Sequence, residues 1–366
     1  MTQKKIVIFY PSFERGGATA NLINIINFLL SKNFNIFLFS QNVDKKKFTQ
    51  NKKLKIISLK KKFNKNSSRI FINFLFFFKL FNFLRQNKTL LVLSMQSHLI
   101  SIVVAKILRK KIIIRLSEDP IGATIYSENK LNSYLVLLGK IISYNFCDGI
   151  VAISSKTKAS LLKFVKKKKI KLIYNPYINK ILPNKKLTPK NNTCLFIGRF
   201  VHQKNIFMLL DVIHEINYIN KINLKLIILG TGPLKNLIKK KILYLNLQNI
   251  CSVVAWSSNV DKYYKQAKFL ILPSFYEGLP NVLIDATNHR VPILATNVSG
   301  VSDILLNGKG GFISKVNKES LKNKVLFILR NYNLAIKKSN HAKKKITRFE
   351  VNRNCKKYLK FINDFI

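Results

Sequence analysis

Residues 271–300, ILPSFYEGLPNVLIDATNHRVPILATNVSG, decide the fold predicted for this chain. The apolar run Phe269–Leu272 leads into the stretch and predicts a buried strand. Glu277 and Gly278 then predict a tight turn. Pro280 suits the first position of a helix, where the missing N–H of proline costs nothing. The stretch therefore predicts a strand, a turn and a helix in succession.

The predicted helix start has no obvious side-chain cap. Leu279, the residue before Pro280, offers no side-chain oxygen, so the free N–H groups need another partner, and a phosphate is a natural one. Two carboxylates, Glu277 and Asp285, lie eight residues apart, with Asp285 expected about two turns into the helix. The pattern predicts a site for a phosphorylated, hydroxyl-rich ligand.

Composition predicts two domains and an anionic partner. The chain has 366 residues, 48% of them hydrophobic, with 65 Lys and Arg against 15 Asp and Glu, which gives a formal net charge of +50. This length suggests two cores. The positive charge is spread over both halves. It favours a membrane surface, a phosphorylated lipid or a nucleic acid, with compositional bias as the alternative.

Cysteine and histidine positions predict neither a disulfide framework nor a metal site. The four cysteines and five histidines stand far apart, so we expect a reducing, cytosolic environment. The N-terminus MTQKKIVIFYP begins with a predicted strand and has no signal-peptide pattern. No run reaches the roughly 18 uncharged apolar residues of a membrane span.

The first half alternates predicted strands and helices, which indicates a mostly parallel sheet. Gly16 and Gly17 follow the first strand and open a helix, at the kind of strand end where open α/β sheets bind ligands. The strands are predicted at 6–10, 36–40, 54–59, 90–94, 112–116 and 150–153. A strand–glycine–helix unit is therefore expected at the N-terminus.

Residues 69–85, RIFINFLFFFKLFNFLR, carry seven phenylalanines between basic ends. One interpretation is a helix buried against the sheet. The other is an amphipathic helix that enters a bilayer interface, with its phenylalanines among the acyl chains and its cations on headgroups. The sequence leaves both open.

The proline-containing residues 174–193 predict a linker between two α/β halves. We expect one α/β domain at 1–178, a second at 190–348, and a helix at 349–366. In the second half, strands are predicted at 194–197, 224–229, 250–254, 269–272 and 291–295. Arg199 and Lys204 follow the first of these and could bind a phosphate.

These motifs together resemble the retaining glycosyltransferases of family 4, or group 1. PSFYEGLPNVLID resembles that family's acidic motif, and GRFVHQKN resembles its Gly-Arg…Lys phosphate motif. GGATANLINIINFLL, IYNPY, LGTGP, VVAWSSNV and NVSGVSDILLNGKGGFI resemble further family segments in the same order. The resemblance covers nearly the whole chain. It implies the α/β GT-B fold, in which two Rossmann-like domains face each other across a cleft. The domain at 1–178 would bind the acceptor, the domain at 190–348 would bind the nucleotide-sugar, and the helix at 349–366 would cross back to the first domain.

The resemblance implies transfer of a sugar from a nucleotide-sugar with retained anomeric configuration and no required metal or other cofactor. Arg199 and Lys204 would bind the diphosphate and stabilise the leaving group. Glu277 would hold hydroxyls of the donor sugar, and Asp285 those of the ribose. The remaining expected contacts are the backbone of Gly278, Leu279, Pro280 and Asn281 to the phosphates, and Gly16 and Gly17 from the other domain.

The sequence departs from the family pattern at two places. The family usually has Glu where this chain has Asp285, and many members have a histidine where this chain reads RLSEDP, residues 115–120. His98 is the candidate contact for the acceptor, with a structural role at a helix start as its alternative. Arg115 and Glu118 are the alternative polar groups in the 115–120 loop. We assign the chemistry to neither.

The predicted function is a cytosolic glycosyltransferase peripheral to the membrane. It would move a hexose, from a UDP-sugar by resemblance, to a lipid-linked or surface-polysaccharide acceptor of the lipopolysaccharide, capsule or O-antigen type. Two alternatives remain at this point. One is a nucleotide-sugar epimerase of GT-B-like fold, which needs no acceptor. The other is a basic nucleic-acid-binding protein, although no recognised motif supports it and the two carboxylates would repel a polynucleotide.

Overall fold

The structure is a computed structural model that describes residues 4–14, 16–49, 51–59, 69–87, 90–183, 192–257 and 259–366. The chain forms two compact units. The first comprises Met1–Asn179 together with Arg348–Ile366, and the second comprises Lys180–Thr347. Of the predicted linker, residues 184–191 lie outside the described residues.

Thirteen strands are described, and every pairing between them is parallel. In chain order they are β1 (Lys5–Ser12), β2 (Asn35–Gln41), β3 (Leu54–Ile57), β4 (Leu91–Ser94), β5 (Ile112–Arg115), β6 (Gly149–Ala152), β7 (Ile170–Leu172), β8 (Thr193–Ile197), β9 (Lys225–Leu229), β10 (Cys251–Val254), β11 (Phe269–Leu272), β12 (Ile293–Thr296) and β13 (Phe312–Ser314). The predicted strands all appear within one or two residues. The three-residue strands β7 and β13 were not predicted.

The α-helices described are α1 (Gly17–Ser31), α2 (Arg69–Gln86), α3 (His98–Ile107), α4 (Pro120–Ile125), α5 (Lys130–Asn145), α6 (Ser155–Leu161), α7 (Ile206–His214), α8 (Lys235–Tyr244), α9 (Asp261–Gln266), α10 (Asn281–Asn288), α11 (Val301–Ile304), α12 (Lys318–Arg330), α13 (Tyr332–Lys343) and α14 (Val351–Asn363). A π-helical turn, Glu215–Ile219, continues α7. Short 3₁₀ turns lie at Lys45–Lys47, Lys167–Lys169, His202–Lys204 and Ile346–Phe349.

Each unit contains one parallel sheet. The strand order is β3-β2-β1-β4-β5-β6-β7 in the first unit and β10-β9-β8-β11-β12-β13 in the second. In each sheet the first three strands follow one another toward one edge. The chain then returns to the middle, and the remaining strands follow one another toward the opposite edge. The point of reversal lies between β1 and β4 and between β8 and β11. Open α/β sheets bind ligands outside the carboxyl ends of the two strands at such a point.

Helices cover both faces of the first sheet. On one face, α1 and α14 share a buried cluster with the sheet, to which α14 contributes Cys355, Tyr358, Phe361 and Ile362. On the other face, α2, α3 and α5 bury side chains in a second cluster. The C-terminal helix therefore packs within the same unit as the N-terminal strand.

The phenylalanine-rich segment forms α2, and its two faces differ. Phe76, Leu80 and Leu84 are fully buried against the sheet, as the first interpretation expected. Phe74 and Phe78 are half-exposed and their rings contact each other. The helix is therefore a packed element with an apolar outer edge. Among the described residues, no helix is both long enough and apolar enough to cross a bilayer.

Candidate active site

The point of reversal in the second sheet brings two loops together. Strands β8 and β11 are neighbours, with Phe269 opposite Cys194 and Leu270 opposite Leu195. Because the strands are parallel, the loops that follow them leave from the same edge of the sheet. Lys204 follows β8 and Glu277 follows β11, so residues 73 positions apart meet there.

Lys204 and Glu277 form an ion pair at this edge. The Nζ of Lys204 lies 2.5 Å from Oε1 of Glu277, and Glu277 is only 6% exposed. A carboxylate with so little access to water depends on protein partners for its charge. The two predicted site residues are therefore in direct contact.

Two hydroxyl side chains support Glu277, and sequence analysis missed both. Ser274 is fully buried and its Oγ donates to Oε1 of Glu277 at 2.7 Å. Thr296, at the end of β12, donates in turn to the carbonyl oxygen of Ser274 at 2.6 Å. The serine three residues before the glutamate was the available signal, but its partner on β12 is visible only in the fold.

The loop after β8 is tied directly to the loop after β11. The backbone N–H of Phe275 donates to the carbonyl of Gln203 at 2.9 Å, and Nε2 of Gln203 donates to the carbonyl of Tyr276 at 2.8 Å. The ring of His202 stacks on Phe275 with 4.8 Å between centroids. These contacts fix the backbone on either side of the ion pair.

A second close approach shapes the turn that carries Arg199. The N–H of Phe200 donates to the carbonyl of Thr231, in the loop after β9. A Cβ on Gly230 would lie 1.9 Å from the carbonyl oxygen of Gly198, so this position has no room for any side chain. The turn leaves Arg199 exposed, between Gly198 and the fully buried Phe200.

Helix α10 begins one residue later than predicted. Pro280 is the residue before the first turn, and Asn281 is the first helical residue. No side chain caps this start, as the sequence indicated. Pro280 has no N–H and therefore contributes no donor of its own.

The backbone before α10 is closely packed, and Asp285 lies nearer to it than expected. A Cβ on Gly300 would lie 2.5 Å from the carbonyl oxygen of Gly278 and 2.7 Å from Cα of Leu279. Asp285 is the fifth residue of α10 and half-buried, so it lies just over one turn from the helix start rather than two.

In the first unit, the point of reversal brings Gly16, Gly17 and His98 to one edge. Gly16 and Gly17 open α1 after β1, and His98 opens α3 after β4. The loops are joined where the N–H of Ser12 donates to Oε1 of Gln96 at 3.0 Å. Both glycines are exposed. Three candidate residues therefore share the edge where ligands bind in such sheets.

His98 is held as a neutral imidazole. Its Nδ1 lies 2.9 Å from Oγ of Ser94. Burial, together with the positive charges of Lys140 and Arg115, lowers its pKa to about 3. A neutral ring can accept or donate a hydrogen bond near pH 7 but supplies no positive charge there.

Arg115 is part of the core, in contrast to the substrate contact predicted for it. It is 1% exposed. Its Nε donates to the hydroxyl of Tyr358 at 3.1 Å, its Nη1 to Ser117 at 3.1 Å and its Nη2 to Asn175 at 2.6 Å. Buried guanidinium groups need such partners. Arg115 therefore joins β5 to α14 and to the segment before the predicted linker.

The described residues contain no cluster of three or more His, Cys, Asp or Glu side chains that could hold a metal ion. The arrangement at β8 and β11 instead combines a buried carboxylate, two cations and an uncapped helix start. Cations and helix N–H groups bind phosphate, and carboxylates accept hydrogen bonds from sugar hydroxyls. These are the groups needed to hold a nucleotide-sugar.

Comparison with known proteins agrees with this chemistry. Residues 178–346 match the family Glycosyl transferases group 1. Over 98% of both chains, the sequence is 28% identical to a Campylobacter jejuni α-1,4-N-acetyl-D-galactosaminyltransferase that is named for a PP-undecaprenol-linked saccharide. It is 26% identical, over 80% of both chains, to the amylovoran biosynthesis glycosyltransferase AmsD of Erwinia amylovora.

Solved structures share the fold. Anabaena HepE with UDP and glucose superposes with a TM-score of 0.77 at 14% identity, over 99% of this chain and 100% of that one. Sucrose-phosphate synthase of Thermosynechococcus elongatus reaches a TM-score of 0.84 at 15% identity, over 99% and 98%. Residues 178–346 therefore match the group 1 glycosyltransferases, and the chain as a whole is similar to glycosyltransferases and has the GT-B fold.

Proposed function

We propose that this glycosyltransferase moves a sugar from a UDP-sugar to a lipid-linked or surface-polysaccharide saccharide, with retention of the anomeric configuration. The observation that carries the proposal is the buried contact between Lys204 and Glu277 at the reversal point of the second sheet. HepE, which shares the fold, is described with UDP and glucose.

The two cations have distinct roles in this proposal. Lys204 lies beside Glu277, where its ammonium can contact an oxygen of the donor diphosphate as a point charge. Arg199 is exposed at the same strand end and can approach that diphosphate as a bidentate fork. When the bond between sugar and diphosphate breaks, negative charge develops on the departing UDP. Cations already in place stabilise that charge without reorganisation.

Glu277 positions the donor sugar. Lys204 and Ser274 both contact its Oε1, so Oε2 can accept a hydrogen bond from a sugar hydroxyl. The backbone of Gly278, Leu279 and Asn281 borders the phosphates, and Asp285 accepts from the ribose. Gly16, Gly17 and His98 belong to the acceptor side.

The acceptor assignment is supported by the relatives. The Campylobacter jejuni protein is named for a PP-undecaprenol-linked saccharide, and other relatives are named for amylovoran and capsular polysaccharide biosynthesis. We place the enzyme on the cytoplasmic face of the membrane, where such an acceptor would be reached. The four buried, free cysteines are compatible with a reducing compartment.

The proposed reaction uses cations of the protein and no metal. In the proposed reaction Lys204 and Arg199 supply the positive charge that a divalent cation supplies in other transferases. Nucleic acid is not a partner in this proposal, because the buried carboxylate at the anion site disfavours a polynucleotide backbone.

The test is a transfer assay with purified enzyme, a panel of UDP-sugars and lipid-linked saccharides, with and without a chelator. We expect one donor to give product with a retained anomeric configuration by NMR, at a rate unchanged by the chelator. A product with inverted anomeric configuration would contradict the retaining mechanism. Loss of the rate with the chelator would contradict the absence of a metal requirement. Conversion of the UDP-sugar without any acceptor would favour an epimerase.

A further inference from the structure

Exposed apolar side chains are concentrated in one part of the first unit. In the part of the chain that the structure describes, 25 large hydrophobic side chains are exposed, and 14 of them lie between residues 71 and 146. That segment is about a fifth of the chain. The 14 exposed side chains are Phe71, Phe74 and Phe78 on α2, Leu99, Val103 and Ile107 on α3, Ile125 on α4, Leu131, Tyr134, Leu135, Val136, Leu138 and Ile142 on α5, and Phe146 just after α5.

Their spacing places them in stripes. The exposed residues of α3 recur every four residues, and those of α2 recur after three and then four. On α5, Leu131, Leu135, Leu138 and Ile142 follow the same spacing. Residues three or four apart lie on one face of a helix, so each of the three helices carries one apolar stripe.

The three stripes share one side of the sheet. Helix α2 packs against α3, and α3 packs against α5. The opposite faces of all three helices bury side chains in the same core cluster, which contains Phe76 from α2, Ile102 from α3 and Tyr144 from α5. The stripes therefore point away from the sheet on adjacent helices. We call the outer side of α2, α3 and α5 the three-helix face.

The helices of the three-helix face carry basic residues and no acidic ones. The sequences of α2, α3 and α5 contain no Asp or Glu, but they contain Arg69, Lys79, Arg85, Lys106, Lys130 and Lys140. Arg85 and Lys130 are exposed. Lys106 and Lys140 pair with carboxylates outside these helices, Asp148 at 2.7 Å and Glu118 at 3.6 Å. The three helices thus combine exposed apolar stripes with basic residues and carry no acidic residue. This combination matches a partner in which an apolar layer lies beneath an anionic surface.

We propose that the three-helix face docks the enzyme on the surface of an anionic lipid bilayer. The stripes enter the boundary between headgroups and acyl chains, and the cations contact the headgroups. An amphipathic helix binds an interface in this way, through buried apolar area and attraction to anionic lipid. A second copy of the chain fits less well, because the same cations would face each other with no acidic partner on these helices.

The position of the face relates docking to the acceptor. Helix α3 begins at His98, on the carboxyl edge of the sheet, and its stripe begins at the next residue, Leu99. The three-helix face therefore extends to the edge that carries Gly16, Gly17 and His98. A lipid-linked saccharide could keep its lipid in the bilayer while its sugar reaches that edge. This last step rests on the proposed function, whereas the docking does not.

The test is flotation of the purified full chain with vesicles of phosphatidylcholine alone or with added phosphatidylglycerol. The first variant carries Leu131→Gln, Leu135→Gln and Leu138→Gln on α5. The matched control carries Leu237→Gln, Leu243→Gln and Tyr244→Gln, three exposed apolar residues on α8 of the second unit. All six side chains are exposed, so we expect both variants to fold.

The wild type and the control should float with the anionic vesicles, and the α5 variant should bind them at least about tenfold more weakly. Transfer to a water-soluble acceptor should stay unchanged in both variants, which separates failure of docking from failure of the enzyme. Absence of wild-type binding to anionic vesicles, or equal binding by the α5 variant, would overturn the proposal. The proposal would also be overturned if the wild type did not bind vesicles but formed a dimer in sedimentation equilibrium, and if only the α5 variant lost that dimer.

A fluorescence measurement gives an independent test. The chain has one tryptophan, Trp256, in the second unit. In a Trp256→Phe background, Leu135→Trp would place the single indole on the three-helix face. Its emission should shift to shorter wavelength on addition of anionic vesicles, as the indole leaves water. An unchanged spectrum would contradict insertion of the stripe.

Discussion

Glu277 and His98 illustrate how burial sets the chemistry of single residues in this protein. Glu277 is buried, and an ammonium and a hydroxyl at hydrogen-bond distance satisfy its charge. Burial and the positive charges of Lys140 and Arg115 lower the pKa of His98, so both favour its neutral form. The first arrangement suits a residue that binds hydroxyls beside a diphosphate. The second suits a neutral hydrogen-bonding group.

The lowered pKa of His98 predicts a pH dependence of stability. The unfolded chain binds a proton at this residue below about pH 6.5, whereas the folded chain binds it only near pH 3. Between these values the unfolded state holds more protons, so stability falls as the pH falls through this window. Urea denaturation at pH 7 and pH 5 should show a loss that His98→Asn reduces by on the order of 1 kcal/mol.

The matched control for this experiment is His341→Asn, at an exposed histidine of the second unit. Its pH dependence should equal that of the wild type. If His98→Asn retains the full wild-type loss between pH 7 and pH 5, then the imidazole is not held neutral in the folded state.

At the scale of elements, the two loops at β8 and β11 depend on glycines that allow backbones to approach. In the loop after β9, Gly230 lies against the carbonyl of Gly198, and the space there admits no residue other than glycine. The loop after β12 similarly brings Gly300 against Gly278. Loop positions next to the candidate site are thus fixed by backbone contacts and by the ion pair together.

Gly230→Ala should damage both stability and donor binding. Its Cβ would overlap the carbonyl oxygen of Gly198, which forces the turn before Arg199 to move. We expect the free energy of unfolding to fall by about 2 kcal/mol and the KM for the donor to rise. Gly139→Ala in α5 is the control, because nothing lies within 4 Å of its Cβ. It should stabilise the protein by roughly 0.5–1 kcal/mol. Equal effects of the two changes would contradict the packing account.

Most elements could be predicted because their patterns are local. The apolar runs at β1 and β11 and the Phe-rich α2 show their type in a short window of sequence. Strands β7 and β13 have three residues each, too few for a pattern. The partners of Glu277 could be predicted only in part, since Lys204 belongs to a recognisable motif whereas Thr296 acts through the backbone of Ser274. The stripe on α5 is composed like a buried helix face, and only the structure shows it exposed.

At the scale of the whole molecule, the chain ends are joined within the first unit. Helix α14 completes the core on the side of α1, and Tyr358 meets Arg115 across 243 residues of sequence. No local pattern predicts such a contact, so the sequence leaves Arg115 only as an alternative candidate for substrate contact. The partner Asn175, 60 residues away, was equally invisible.

Tyr358→Phe should destabilise the protein without touching the donor site. It leaves Nε of the buried Arg115 without its acceptor, at a cost of about 1–3 kcal/mol in unfolding free energy. Tyr244→Phe removes a hydroxyl from a side chain that is 80% exposed and should change stability by less than about 0.5 kcal/mol. Urea denaturation measures both. Equal stability of the two variants would show that the Arg115 contact contributes little.

In the proposed reaction Glu277, held by Lys204 and Ser274, positions the donor for transfer. The most direct measurement is the rate of sugar transfer by Glu277→Gln, with Glu319→Gln at an exposed position of the same unit as the control. Glutamine keeps the shape but loses the charge that pairs with Lys204 and accepts sugar hydroxyls. We predict that kcat falls by about a hundredfold or more in Glu277→Gln and stays at the wild-type value in Glu319→Gln. Wild-type turnover by a folded Glu277→Gln variant would show that this carboxylate does not position the donor.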